Sequence, residues 1–353
     1  MERLAMTAPG STAAIAPEVL ATAQALVAGD KGLLAMDEST QTCDERFATV
    51  GIPQTLDARR AYRELIVTTP GLSPSISGAI LYDETIRQQT RDGTPFVEVL
   101  TDAGIIPGIK VDTGTIDMAA HPGETVTEGL DGLGDRLAEY AALGACFAKW
   151  RAVLSIGDDK PSPPCIEVNA DALASYAALC QAGGLVPVVE PEVLMDGPHS
   201  LEQCSEVTEN VLRAVFGALH ERGVVLEGII LKPNMVLSGS TCLTQAPVAE
   251  VARATVRCLL QTVPPAVAGV AFLSGGQPAV LASARLNAMN QTSGPPLPWA
   301  LSFSFGRAIQ LPALEIWHGE EAHVVAAQRA LCHRASCNRA ARRGEYTASM
   351  EST

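Results

Sequence analysis

The chain has 353 residues, 47% hydrophobic and 18% charged, with 30 Gly and 23 Pro scattered without period. That balance excludes a disordered or fibrous protein, and no apolar stretch approaches the ~20 residues of a membrane-spanning helix. The net charge of −14 argues against nucleic acid or an anionic membrane as partner.

Short apolar runs of strand length alternate along the chain with longer stretches of helical period. The runs are Gly32 to Asp37, Ile76 to Tyr82, Ile105 to Asp112, Ala145 to Leu154, Leu185 to Glu192, Gly228 to Met235, Gly269 to Gly276 and Ala300 to Arg307. Between them, Asp57 to Thr69, Asp135 to Leu143, Asp171 to Gln181, Ala246 to Val263 and Val280 to Asn290 read as helices. Ser200 with Gln203 reads as a capping box opening a further helix that ends near Gly223. Eight strands separated by helices can close on themselves and leave no sheet edge, so the expected fold is a closed (β/α)8 TIM barrel. No linker splits the chain. One barrel domain over residues 1–353 is expected, its core about 32–315, with added N-terminal helices and a C-terminal helix and tail over 316–353 lying outside the barrel. No GxGxxG follows the first strand, which weakens a dinucleotide-binding reading.

Nine Cys form no CxxC pair and read as small apolar fillers in a reducing compartment. The six His make no HxxxH or HxH set, and Cys332, His333 and Cys337 sit in an Ala/Arg-rich helical tail, so no metal is expected. The N-terminal MERLAMTAPG lacks the basic start and apolar core of a signal peptide. The expected location is cytoplasmic, or the plastid stroma if a transit peptide was removed.

In a parallel barrel the chemistry belongs at the C-terminal ends of the strands. Those ends carry Asp37, Lys110, Lys149 with Arg151, Glu190 with Glu192, Lys232, Ser274-Gly275-Gly276 and Gly306-Arg307. Only five lysines occur against twenty arginines, and three of the five fall here. Each charge alone reads as a solvated loop residue; the set reads as a site. Gly near strands seven and eight lets backbone N–H groups approach a phosphate, and the Arg fork matches its oxygens. Lys110 and Arg151 across the mouth suggest a ligand phosphorylated at both ends. Lysines crowded by cations and apolar walls are expected to lose basicity, and Glu190 beside Glu192 to gain it. A neutral lysine can attack a ketone and form a Schiff base, although spacing alone does not say which lysine is covalent.

At these residues the sequence resembles the class I fructose-bisphosphate aldolases. The motifs AMDEST (35–40), TTPGL (68–72), SGAILYDET (77–85), PGIKVD (107–112), FAKWR (147–151), VEPE (189–192), LKPNM (231–235), FLSGGQ (272–277), LNAMNQ (286–291) and FSFGRA (303–308) come in family order. They cover nearly the whole chain, with wording similar to bacterial and cyanobacterial members. The resemblance implies a metal-independent lyase without cofactor. It would cleave fructose 1,6-bisphosphate reversibly to dihydroxyacetone phosphate and glyceraldehyde 3-phosphate in glycolysis and gluconeogenesis. It implies Lys232 as the Schiff-base nucleophile, Glu190 as acid/base with Lys149 assisting and Glu192 beside it, and Asp37 as the base at the C4 hydroxyl. Ser274, Gly275, Gly276, Gly306 and Arg307 would hold the C1 phosphate, with Ser304 a further substrate-binding residue; Ser39, Thr42, Arg46, Lys110 and Arg151 would surround the C6 phosphate. It also implies a homotetramer.

Glu45 beside Arg46, Cys146 before FAKWR and Thr113 after KVD depart from the family's pattern of basic residues. No aromatic ends the chain, and Tyr346 lies upstream, so the residue that protonates the enamine is unassigned. Two rival readings predict different residues. A transaldolase-like Schiff-base barrel would not need Lys110 and Arg151, and a non-catalytic barrel would lack the nucleophile or the acid.

Overall fold

The computed structural model describes residues 15–291 and 296–352. Its strands are β1 (Gly32–Ala35), β2 (Ile76–Leu81), β3 (Ile106–Lys110), β4 (Gly114–Asp117), β5 (Thr125–Glu128), β6 (Phe147–Leu154), β7 (Val186–Val193), β8 (Ile230–Leu231), β9 (Gly269–Phe272) and β10 (Ala300–Phe305). Eight of them close a parallel barrel in the order β1-β10-β9-β8-β7-β6-β3-β2. These are the eight predicted runs. The remaining pair, β4 and β5, forms an antiparallel hairpin after β3 that lies outside the eight predicted runs. Its exposed, polar residues carry little apolar alternation to announce a strand.

Strand periodicity places successive side chains on opposite faces. In β6 the outward residues Ala148, Trp150 and Ala152 belong to the large core between strands and surrounding helices. Phe147 points inward with Leu33, Ile80, Val186, Val188, Ile230 and Ala271. A Cβ on Gly108 would stand 2.3 Å from the Phe147 ring; β3 therefore leaves out a side chain where β6 inserts its largest. Lys149 and Arg151 share the inward parity of Phe147, so one strand face passes from apolar to charged as it climbs.

The helix Pro17–Leu26 brings Val19, Ala23 and Leu26 into that same interior cluster. It seals the N-terminal opening of the barrel rather than lying apart from it as expected. The C-terminal helix Val324–Arg342 packs on the helices Arg307–Trp317 and Ala279–Asn290. From its last turn Arg342 donates to the carbonyls of Lys31 and Val27, tying the tail to the start of β1. The first fourteen residues, part of the expected N-terminal helical segment, lie outside the described residues.

The capping box at Ser200 is present: Ser200 Oγ accepts from Gln203 N and Gln203 Oε1 accepts from Ser200 N, opening the helix Leu201–Glu221. Strand β8 pairs through only two residues because Pro233, which has no N–H to donate, follows Lys232. Lys232 N still donates to Val189 O at 2.8 Å, which fixes its backbone against β7.

Candidate active site

A cavity of about 1030 Å³ opens at the C-terminal ends of the strands. All five residues expected to be catalytic, Asp37, Lys149, Glu190, Glu192 and Lys232, line it. So do Ser39, Thr42, Arg46, Lys110, Arg151, Ser274, Gly275, Gly276, Ser304, Gly306 and Arg307. Residues more than 250 positions apart in the chain thus meet in one chamber, because the barrel brings every strand end to the same mouth.

The buried centre is a chain of opposite charges. Lys232, 3% exposed, places Nζ 3.1 Å from Glu190 Oε1. Lys149 Nζ lies 3.4 Å from Glu190 Oε2, 2.6 Å from Asp37 Oδ2 and 4.0 Å from Asp112 Oδ2. The contact to Glu190 Oε2 is an ion pair without hydrogen-bond geometry. Burial alone would raise the Asp37 pKa, but the ammonium groups of Lys149, Lys232 and Lys110 hold it well below the usual carboxylate range. Burial alone would lower Lys149, yet Asp37, Glu190 and Asp112 raise it above the ordinary lysine value. The expectation of a less basic lysine is therefore reversed at Lys149, where three carboxylates surround the ammonium group. Lys149 keeps its proton and Asp37 stays ionised.

Two further expectations change in the structure. Glu192 does not face Glu190 as an isolated like charge; its carboxylate accepts from Arg151 Nε. Lys110 is not a free cation at the mouth either, since its Nζ lies 2.5 Å from Asp112 Oδ1 and donates to Asp112 O at 2.7 Å. Asp112 also accepts from Arg151 N at 3.2 Å. Sequence reasoning assigned no role to this buried carboxylate, although it closes the PGIKVD motif.

Glu38 was missed in the same way. It lies 2.5 Å from Arg46 Nη1, 2.7 Å from Arg63 Nη1 and 2.9 Å from Gln310 Nε2. Burial acts to raise its pKa, but the two guanidinium groups pull it below its ordinary value. Glu38 directly follows Asp37 and Asp112 lies two residues after Lys110, each within a motif, and that proximity was the available signal. Tyr82 lines the cavity as well.

Arg307 makes no ion pair among the described residues. Burial and the fields of Arg46 and Arg151 lower its affinity for its proton, only partly offset by Glu192 and Asp196. It sits beside the turn Ser274–Gln277, where Gly275 and Gly276 have φ of +58° and +96°. The φ of Gly276 favours glycine, and a Cβ there would crowd Arg307 Nη2 at 3.0 Å. Ser304 Oγ is buried without a partner. An unpaired guanidinium, an open backbone turn and a free hydroxyl together suit an anion. Ser39, by contrast, caps the helix Thr40–Thr49, accepting from Thr42 N at 3.2 Å and donating to Thr42 Oγ1 at 3.1 Å.

The departures from the motif pattern separate. Glu45 and Thr113 stand exposed on the cavity rim. Cys146 precedes β6 at the closed end of the barrel, away from the mouth, and its N donates to Pro107 O. Tyr346 is buried and donates to Glu351 Oε1 at 2.6 Å; it does not line the cavity. In the tail, His333, Cys337 and Glu351 bring donor atoms within 4.8 Å of one another. Arg334 already engages both oxygens of Glu351. Cys332 points elsewhere, with its Sγ on Pro70 O.

The fold and the mouth define a lysine-centred barrel built to receive an anionic ligand. The family profile described as "Fructose-bisphosphate aldolase class-I" matches residues 18–353. The chain is 58% identical over 326 residues to the "Probable fructose-bisphosphate aldolase class 1" of Xanthomonas campestris pv. campestris, covering 92% of this chain and 97% of that one. It is 51% identical to the cytosolic fructose-bisphosphate aldolase 6 of Arabidopsis thaliana, covering 95% and 93% of the two chains. The fructose-bisphosphate aldolase of Plasmodium falciparum, solved in a ternary complex with TRAP and a small-molecule inhibitor, superposes with a TM-score of 0.92 at 49% identity. That match covers 94% of this chain and 95% of the other. The chain belongs to the class I fructose-bisphosphate aldolase family.

Proposed function

We propose that the protein is a class I aldolase that cleaves fructose 1,6-bisphosphate reversibly, and that the chain Lys232–Glu190–Lys149–Asp37 carries the reaction. The single observation behind this assignment is that contact chain, buried within β7 and β6 and just after β8 and β1. Lys232 adds through its unprotonated amine to C2 of the ketose, with Glu190 the carboxylate placed to take a proton from it. Glu190 and the protonated Lys149 then supply the proton with which the carbinolamine loses water, leaving an iminium ion. Asp37 accepts the C4 hydroxyl proton as the C3–C4 bond breaks, and the bond's electron pair moves into the iminium. Glyceraldehyde 3-phosphate leaves. Protonation of the enamine at C3 and hydrolysis release dihydroxyacetone phosphate and restore Lys232.

Asp112 and Glu192 act as fixed counter-charges that orient Lys110 and Arg151 toward the rim. Arg307 with Ser274, Gly275, Gly276, Ser304 and Gly306 takes the C1 phosphate. Ser39, Thr42 and Arg46 stand with Lys110 and Arg151 for the C6 phosphate. We further read the chain as one barrel domain, assembled as a homotetramer in the cytoplasm. Among the described residues no helix is long and apolar enough to cross a membrane.

The test is a coupled assay for triose phosphates with fructose 1,6-bisphosphate as substrate, run with and without a strong chelator. The proposal expects cleavage at the same rate in both. Absence of cleavage, or a rate that falls with chelator and returns with a divalent metal, would overturn it.

A further inference from the structure

One buried cation has no role in the reaction described above. Arg285 lies in the helix Ala279–Asn290, which begins directly after the turn Ser274–Gln277. It is 8% exposed. Its Nε has no hydrogen-bond partner, and no carboxylate among the described residues forms an ion pair with it. Burial alone pulls its pKa below the ordinary arginine value.

Helical side chains lean toward the N-terminus of their helix. Arg285 follows that rule and reaches back eight residues, donating from Nη1 to Gln277 Oε1 at 2.8 Å. The guanidinium therefore sits toward the end of its own helix where the dipole already disfavours a cation. Burial, the missing counter-charge and the dipole all act against it in the empty protein.

Gln277 connects that cation to the site. It is 4% exposed, and its N donates to Ser274 O at 2.9 Å, closing the turn. With Oε1 taken by Arg285, its Nε2 remains buried without a partner. Two guanidinium groups thus bear on the turn: Arg307 against Gly276 directly, and Arg285 through the Gln277 carboxamide.

We propose that Arg285 is a positioning residue for the phosphate-binding turn, its charge offset by the ligand's phosphate dianion and its hydrogen bond holding Gln277 and the turn in place. The inference rests on the reading of Ser274–Gly276 as the phosphate turn. It assigns the ligand's phosphate, rather than a protein carboxylate, as the counter-ion of this buried arginine.

Two substitutions separate charge from shape. Arg285→Gln keeps a donor for Gln277 and removes the charge; Arg285→Lys keeps the charge and loses the fork. Steady-state cleavage of fructose 1,6-bisphosphate and competitive inhibition by inorganic phosphate are measured for both. Arg285→Gln is expected to raise KM and the phosphate inhibition constant about tenfold with kcat within about twofold, as loss of a ground-state charge interaction requires. Arg285→Lys is expected to stay within about threefold of the unmodified protein on both constants. Unchanged constants in the Gln variant, or equal losses in the two variants, would overturn the proposal. Should the Gln variant not fold, the Lys variant decides alone, and a tenfold rise in its phosphate inhibition constant overturns it. Cleavage by the unmodified protein separates the two levels. No cleavage defeats the reading of the site, whereas cleavage with an unaffected Gln variant defeats only the role of Arg285.

Discussion

The two ends of the barrel are built from the same strands and the same inward parity, yet they do opposite work. At the closed end Leu33, Phe147, Val186 and Ile230 pack with Leu26 of the sealing helix in one apolar cluster. Further along the same inward parity, past Ala35 on β1 and Val188 on β7, the open end carries Asp37, Lys149, Glu190 and Lys232, locked in ion pairs. Burying such charges is costly unless each is matched. The apolar plug provides the rigidity that holds oppositely charged groups within about 3 Å of one another. The difference teaches that stability and chemistry are separated along the strand direction, a few ångströms apart, rather than among different elements.

Substitutions can break that division at either end. The largest expected effect is at the open end: Lys232→Ala should reduce kcat by at least about 10⁴-fold, because no other group offers an amine at that carbon. Thermal unfolding should show the fold intact; retained turnover would contradict the division. Asp37→Asn should lower kcat by about 10²- to 10³-fold, as loss of a general base does, measured by the triose phosphate assay.

The same variant tests the electrostatics. Lys149 has its pKa raised on folding, so its contribution to stability is complete below the ordinary lysine value of 10.5. That contribution is lost only as pH rises through the higher folded value. Removing the Asp37 carboxylate should move the alkaline limb of the stability curve to lower pH, read by unfolding midpoints across an alkaline pH series. An unmoved limb would mean the pair is not coupled.

At the closed end, Phe147→Ala should destabilise the fold by about 3–5 kcal/mol and leave KM nearly unchanged. Denaturant unfolding measures the first and steady-state kinetics the second. A large change in KM would mean the two ends are not separable. Arg307→Ala should raise KM about tenfold while kcat changes little; equal KM would remove it from phosphate binding. The smallest effect lies away from both ends. Ser200→Ala should cost ~1 kcal/mol through the lost helix cap, with unchanged kinetics.

The barrel was legible because its strands write their burial directly: β1, β2, β6, β7, β9 and β10 are apolar runs with few interruptions. The helix Thr40–Thr49 escaped notice because only Cys43 and Phe47 are buried in it, too few to show a helical period. The hairpin β4–β5 escaped for a similar reason, with a single buried residue, Thr127, across its two strands. The charged positions were legible because lysine is rare in this sequence, so three within the predicted strand runs stood out. Their pairing was not legible. Whether Glu192 opposes Glu190 or neutralises Arg151, and whether Lys110 is free or held by Asp112, depends on register between strands that are far apart in sequence. That same register reversed the expected basicity of Lys149, since a one-dimensional reading counts its neighbouring cations but not the carboxylates delivered by β1 and β7 and by Asp112 after β3. Arg285 was invisible as a site residue because it sits mid-helix, eight positions from the turn it reaches.

The most direct test of the central claim is chemical trapping. The protein is incubated with dihydroxyacetone phosphate, reduced with borohydride, digested, and the modified peptide is located by mass. The account predicts one adduct, on the peptide containing Lys232. An adduct on Lys149 or Lys110 instead, or none at all, would contradict it.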